Sequence, residues 1–172
     1  MMSKESNHRR RPGRWRSERA QALVEFALIS IVFFMLVFSI FDLARLFQSW
    51  VTVQHAARES ARYAITGQVL CEGYTTGDHR DDCITQAAKT ATTGVPDGGP
   101  GSTAVNVSTK YWDYPTYSGV GSSGAGEPCD QVEVRVTYQH HFVTPIMAAI
   151  ISSGVPLAGI QRMTNEPFGS CS

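Results

Sequence analysis

The chain has 172 residues with 15 basic and 15 acidic side chains, which leaves room for one soluble domain beside a membrane anchor. The formal net charge of zero hides an asymmetry: residues 1–22 hold seven basic against two acidic side chains, and the chain beyond Phe47 holds seven against eleven. A basic stretch this short, next to an apolar segment, is explained by membrane topology, which sets aside nucleic acid as its partner.

The first 18 residues read as a disordered, basic cytoplasmic arm. Pro12-Gly13 breaks structure there, and Ser17 suits the N-cap of the helix that follows. The next stretch, 19–65, reads as one spanning and extended helix. Phe26 to Phe41 contains no charge, and Leu23 to Leu46 is 24 residues long. At about 1.5 Å per residue that is roughly 36 Å, enough to cross a hydrocarbon core of about 30 Å. Basic residues mark the cytoplasmic side, so the N-terminus is expected inside and residues from about 50 onward outside.

Glu25 stands just inside this segment. A carboxylate there is unfavourable, by about 2.5–3.5 kcal/mol at the bilayer centre and less toward the edge. Two readings stay open. Glu25 is either an assembly residue with a charged partner, or a marker of the interface that reaches headgroup water. Asp42 and Arg45, three residues apart near the outer boundary, are placed to pair on one helix face.

Phe47 to Ile65 lacks Pro and Gly, so the helix is expected to continue beyond the membrane until Gly67, which suits a left-handed helix end. The expected helix therefore runs from about Glu18 to Ile65. Ala56, Ala57, Ser60, Ala61 and Ala64 form a stripe of small residues. The stripe suits packing on a sheet, close helix–helix assembly, or both.

Residues 66–172 read as an extracytoplasmic α+β domain. Gly94–Gly101 and Ser118–Pro128 are turn material, and Asp82–Thr92 is a short helix. Val132, Val134, Val136 and Tyr138 alternate with polar residues, the pattern of a half-buried strand. Thr103–Thr109 and Pro156–Thr164 are further strand candidates, and short turns favour an antiparallel sheet. Phe142–Ile151 is a second apolar run, too short to span. It reads as a core helix or buried loop, or as a surface patch that touches membrane or a partner subunit.

Cys71, Cys83, Cys129 and Cys171 all lie on the predicted outer side, where disulfides persist. Four cysteines allow three connectivities. Cys71–Cys83 closes a local loop and is the preferred pair, which leaves Cys129–Cys171 to tie the main strand to the last residues. A zinc site at Cys71, His79 and Cys83 lacks the close ligand pairs of structural zinc. Cys129 with His140 or His141 lacks an orienting residue and an oxyanion hole. His140 and His141 fall on opposite faces of a strand, which opposes a shared metal. No phosphate loop or zinc-peptidase signature is present, so no catalytic, metal or cofactor residue is assigned. Asn106-Val107-Ser108 fits a glycosylation sequon, a triplet common by chance.

Three blocks carry a family resemblance: Arg19-Ala20-Gln21-Ala22-Leu23-Val24-Glu25-Phe26-Ala27-Leu28, Phe41-Asp42-Leu43-Ala44-Arg45-Leu46-Phe47, and Ala56-Ala57-Arg58-Glu59-Ser60-Ala61-Arg62-Tyr63-Ala64. Their order and spacing resemble the TadE-like proteins of tight-adherence pilus systems. More loosely, Tyr138, Phe142 and Pro145, and the run Met163-Thr164-Asn165-Glu166-Pro167, are similar to the family's C-terminal part.

The resemblance implies a non-enzymatic, pseudopilin-like envelope protein. It would sit in the bacterial cytoplasmic membrane by a single pass, and it would help to assemble a type IVb-like pilus or a related secretion apparatus. Its partners would be membrane lipid, other pilin-like subunits and platform proteins, with no cofactor and no small-molecule substrate. Prepilin-like relatives are cut just before the apolar segment. A cut between Ala20 and Gln21 would make Glu25 the fifth mature residue and Phe26 the sixth. Gly is usual where Ala20 stands, and an uncut chain would remain a bitopic anchor. The rival functions are a membrane-anchored adhesive or sensing module outside any filament and, more distantly, an exported thiol-dependent enzyme.

Overall fold

The computed structural model describes residues 14–171; Pro12-Gly13 and most of the expected basic arm lie outside that range. The chain divides into two compact units between Phe41 and Asp42. Helix α1 (Arg14–Ile65, 52 residues) contributes to both. Its start precedes the expected Glu18, so Ser17 lies within the helix and does not cap it.

Among the described residues the first unit is helix alone. Its large side chains from Leu23 to Phe41 are exposed, apart from half-buried Val37. The two hydroxyls in this run are satisfied within the helix: Ser30 donates to the Ala27 carbonyl at 2.9 Å and Ser39 to the Met35 carbonyl at 2.8 Å. A segment destined for lipid must settle its polar groups internally in this way. Residues 20–65 meet the length and hydropathy of a membrane-crossing helix.

The second unit begins at Asp42 and holds every other element of the described residues. These are α2 (Arg80–Ala91), β1 (Val105–Trp112), β2 (Ser122–Ser123), β3 (Gln131–His140), α3 (Pro145–Ile150) and β4 (Val155–Thr164). The four strands form one antiparallel sheet in the order β2-β1-β3-β4. The β3 alternation holds as read: Val132, Val134, Val136 and Tyr138 are all buried. On β4, Leu157, Gly159, Gln161 and Met163 pair opposite Tyr138, Val136, Val134 and Val132 and so share that face. The two-residue strand β2 arises within the expected loop Ser118–Pro128. There Trp112 donates its indole N–H to the Gly119 carbonyl at 3.0 Å and the loop folds over the ring.

The core is closed by α1. Val53, Ala56, Ala57, Ser60, Ala61 and Ala64 are fully or almost fully buried, and the apolar ones share one cluster with Ile84 and Ala88 of α2 and the β3 valines. Small side chains are needed because the sheet comes very close. A Cβ on Gly159 of β4 would lie 2.5 Å from the Val53 carbonyl oxygen and 3.0 Å from the Ala57 Cβ. The small-residue stripe is therefore consumed by helix-on-sheet packing and is not free for a second helix.

The end of α1 is fixed by a residue far along the chain. Gly67 takes φ +66° as its position requires. Buried Arg80, at the start of α2, donates to the Ala64 carbonyl through Nε at 3.2 Å and Nη2 at 2.6 Å. Its Nη1 reaches the Gly126 carbonyl, and its guanidinium lies 4.9 Å from the Phe168 ring centroid. The backbone N–H of Glu166 takes the next carbonyl, that of Ile65, at 3.0 Å. A cation at a helix C-terminus complements the carbonyls left unpaired there and the negative end of the dipole. Replacing it strands the buried Ala64 carbonyl and the half-buried Gly126 carbonyl. Arg80→Met is expected to destabilise the outer domain by about 3 kcal/mol, given 1.5–3 kcal/mol per charged hydrogen bond. Urea unfolding of the purified protein checks this; an unchanged midpoint would remove Arg80 as the helix clamp.

Candidate assembly site

Glu25 and Phe26 lie on α1 and both are exposed. Among the described residues Glu25 forms no ion pair. Ala20, Gln21, Val24, Glu25 and Leu28 line one shallow groove along the helix. The Ala20–Gln21 bond lies inside α1, so a peptidase would first have to unwind this turn.

Asp42 does not pair with Arg45 as the spacing suggests. It is 3% exposed and accepts hydrogen bonds from the backbone N–H of Val143 at 3.3 Å and of Thr144 at 3.2 Å. The Thr144 hydroxyl donates to the same carboxylate. Thr144 is the N-cap of α3, so the carboxylate of one helix fixes the start of another. Phe142–Ile151 therefore forms neither a core helix nor a buried loop. It is a turn and short helix held to α1 at Asp42, with Val143, Pro145, Ala149 and Ile150 exposed and Phe142, Thr144, Met147, Ala148 and Ile151 half-buried.

Just before that segment, His140 is buried, and its Nδ1 has no hydrogen-bond partner among the described residues. Its ring packs edge-on to Phe142, with centroids 5.5 Å apart. Burial pushes its pKa below the usual histidine value; the charge of Arg45 and neighbouring His141 act in the same sense, and Asp42 opposes them. The unfolded chain therefore takes up a proton that the folded domain resists. Stability is full above the ordinary histidine pKa of about 6.5 and is lost as pH falls below it toward the depressed folded value. Thermal midpoints measured from pH 8 to 5 should show this acid-side loss, and His140→Phe should flatten it.

The cysteines fall into two pairs. Cys71 and Cys83 are bonded with Cα atoms 5.6 Å apart, and Cys129 and Cys171 with Cα atoms 5.5 Å apart. The first joins the loop after α1 to α2; the second joins the approach to β3 to the residues after β4. Neither leaves a thiolate for zinc, and His79 instead contacts Asp82 at 3.2 Å through Nδ1 and stacks on Tyr74. Cys129 precedes β3 and His140 ends it, so roughly 30 Å of strand separates that proposed nucleophile and base.

Asp78, His79, Arg80, Asp81, Asp82, Tyr111 and Glu127 line an open cavity of about 440 Å³. Among the described residues no three His, Cys, Asp or Glu side chains are grouped to hold a metal ion. Arg80 is committed to the end of α1, and Asp81 accepts from the Thr109 hydroxyl at 3.0 Å. Asp130, which the sequence did not single out, and Asn165 hold the Ala125–Glu127 wall of this cavity. Asp130 accepts from the N–H groups of Tyr114 and Glu127, each at 2.8 Å. Asn165 donates to the carbonyls of Ala125 at 2.9 Å and Glu127 at 2.8 Å. Asn165 lies in the run Met163–Pro167 already singled out by resemblance.

Fold and site together define a small α+β protein with, among the described residues, one candidate membrane helix, bare over its apolar part. Residues 20–62 match the family model described as TadE-like protein, so the resemblance carried by the three sequence blocks holds over that segment. The match covers 43 of the 172 residues, all of them on α1. No curated protein matches the chain, and no solved structure does.

Proposed function

We propose that the protein is a pilin-like assembly component of a type IVb (tight-adherence) pilus or a related secretion apparatus. It is held by a single pass in the bacterial cytoplasmic membrane, with the N-terminus inside and residues 66–172 outside. One observation carries this reading. The TadE-like match falls on a helix whose outer part is used up by its own domain, while its apolar part is bare and displays Glu25. A helix fitted for both lipid and neighbouring subunits has this division. The TadE-like family is not an enzyme family, and all four cysteines are paired.

Partners of the proposed role are membrane lipid, other pilin-like subunits and the assembly platform. In detergent extracts of the native host, the tagged protein should co-purify with the platform protein and secretion ATPase of the pilus system. Protease added to intact spheroplasts should remove the outer domain. Non-reducing peptide mapping should recover Cys71–Cys83 and Cys129–Cys171. A protected outer domain would reverse the topology. An accessible domain that promotes adhesion without any pilus component would favour the adhesive or sensing module instead.

A further inference from the structure

We propose that Phe142–Ile151 is a second membrane contact, seated in the outer edge of the leaflet beside the outer domain. This inference rests on the anchoring reading above and adds a surface to it. The segment's place follows from its link to α1. Asp42 is the residue directly after the charge-free run Phe26–Phe41, and its carboxylate holds the backbone of Val143 and Thr144.

With Phe26 at the inner boundary, a hydrocarbon layer of about 30 Å takes up about 20 residues and ends near Arg45. Asp42 then lies a few ångströms inside that layer. A carboxylate at this depth needs donors other than water. The amides of Val143 and Thr144 supply them, so their own segment must lie at the same depth.

The chemistry of the segment agrees with that depth. From Val136 to Gln161 the chain has no Asp, Glu, Lys or Arg. Val143 is 62% and Ile150 72% exposed, although nothing in the core requires apolar residues at those positions. On α1 itself, Phe47 and Trp50 are exposed with ring centroids 5.7 Å apart, one to two turns beyond Asp42. Aromatic side chains collect at the headgroup level. The membrane surface then falls at about Phe47–Trp50 on α1, beyond the depth of Asp42 and the backbone it holds. Amphipathic segments that lie in an interface bury their apolar face by about 5–10 Å, which suits a helix as short as α3. A second subunit could also cover Val143 and Ile150, but it would not account for a charge-free segment pinned at this depth.

The test places an environment-sensitive fluorophore on an added cysteine at Ile150, at Phe33 within the apolar helix, or at Val120, which is 93% exposed. The full-length protein is reconstituted in phosphatidylcholine–phosphatidylglycerol vesicles carrying a doxyl quencher high on the acyl chain. Loss of emission at positions 33 and 150, with none at 120, is the expected result. Quenching at 33 with none at 150 overturns the inference and leaves the anchor standing. No quenching at 33 overturns the anchoring reading and the inference with it. Shielding at 150 that appears only when other pilus subunits are added assigns the patch to a partner and also overturns the inference.

Discussion

Glu25→Ala is expected to reach the membrane at or above the wild-type level and to lose pilus assembly. Insertion depends on total apolar length, and Phe26–Phe41 supplies most of that without Glu25. Removing a carboxylate from the edge of the layer relieves part of a penalty of about 2.5–3.5 kcal/mol. What the variant gives up is a charged contact in a medium where opposite charges attract far more strongly than in water. Breaking such a pair when it is buried costs about 3–5 kcal/mol, a hundredfold or more in an association constant.

The resemblance to pilin-like proteins implies that the partner is the free N-terminal amine of a neighbouring subunit. On that reading the amine requires a cut after Ala20, and without the cut Arg19 or Arg16 of a neighbour is the candidate partner. N-terminal sequencing of the membrane protein separates the two, since a cut chain begins at Gln21. Membrane level by immunoblot and surface pili by electron microscopy give the two readouts of the variant. A Glu25→Ala protein that supports pili as wild type does would reduce Glu25 to an interface marker, and the pilin-like mechanism would be dropped.

Local features of this molecule were legible in the sequence. The long helix follows from the absence of Pro and Gly between Arg14 and Ile65, and its end from Gly67. The β3 strand follows from strict alternation at Val132–Tyr138, and the short helix and the β4 strand were placed within one or two residues. What escaped depends on contacts between distant parts of the chain. Asp42 was paired with Arg45, its neighbour on the helix, because spacing reports only local partners. Its actual donors are 101 and 102 residues away. Nothing local distinguishes Arg80 from a solvated helix-start residue, yet it clamps the end of α1 sixteen residues earlier. The Phe142–Ile151 run stays open between core and surface in the sequence, because apolar composition alone does not distinguish a buried segment from an exposed one.

Gly159→Val is expected to prevent stable folding of the outer domain, and Gly159→Ala to weaken it by about 2–3 kcal/mol, the upper part of the usual range for overpacking. No special backbone angle demands glycine there; the demand comes from the neighbour. The Cβ of alanine would lie 2.5 Å from the Val53 carbonyl oxygen, an atom of the helix backbone that cannot rotate aside. Relief requires α1 to lift from β4, and Val53, Ala56, Ala57, Ala61 and Ala64 all lose contact if it does. Domains of this size have only about 5–15 kcal/mol in total, so valine, with two further methyl groups against the same face, leaves little margin. Near-UV circular dichroism and urea unfolding of the detergent-solubilised protein measure both variants. Ala57→Gly should not rescue Gly159→Ala, because the nearer obstacle is the Val53 carbonyl and not the Ala57 methyl at 3.0 Å. A wild-type midpoint for Gly159→Val would mean that α1 is not seated on the sheet. The small-residue stripe would then be free for a neighbouring subunit. A collapse of the domain keeps that stripe inside the subunit.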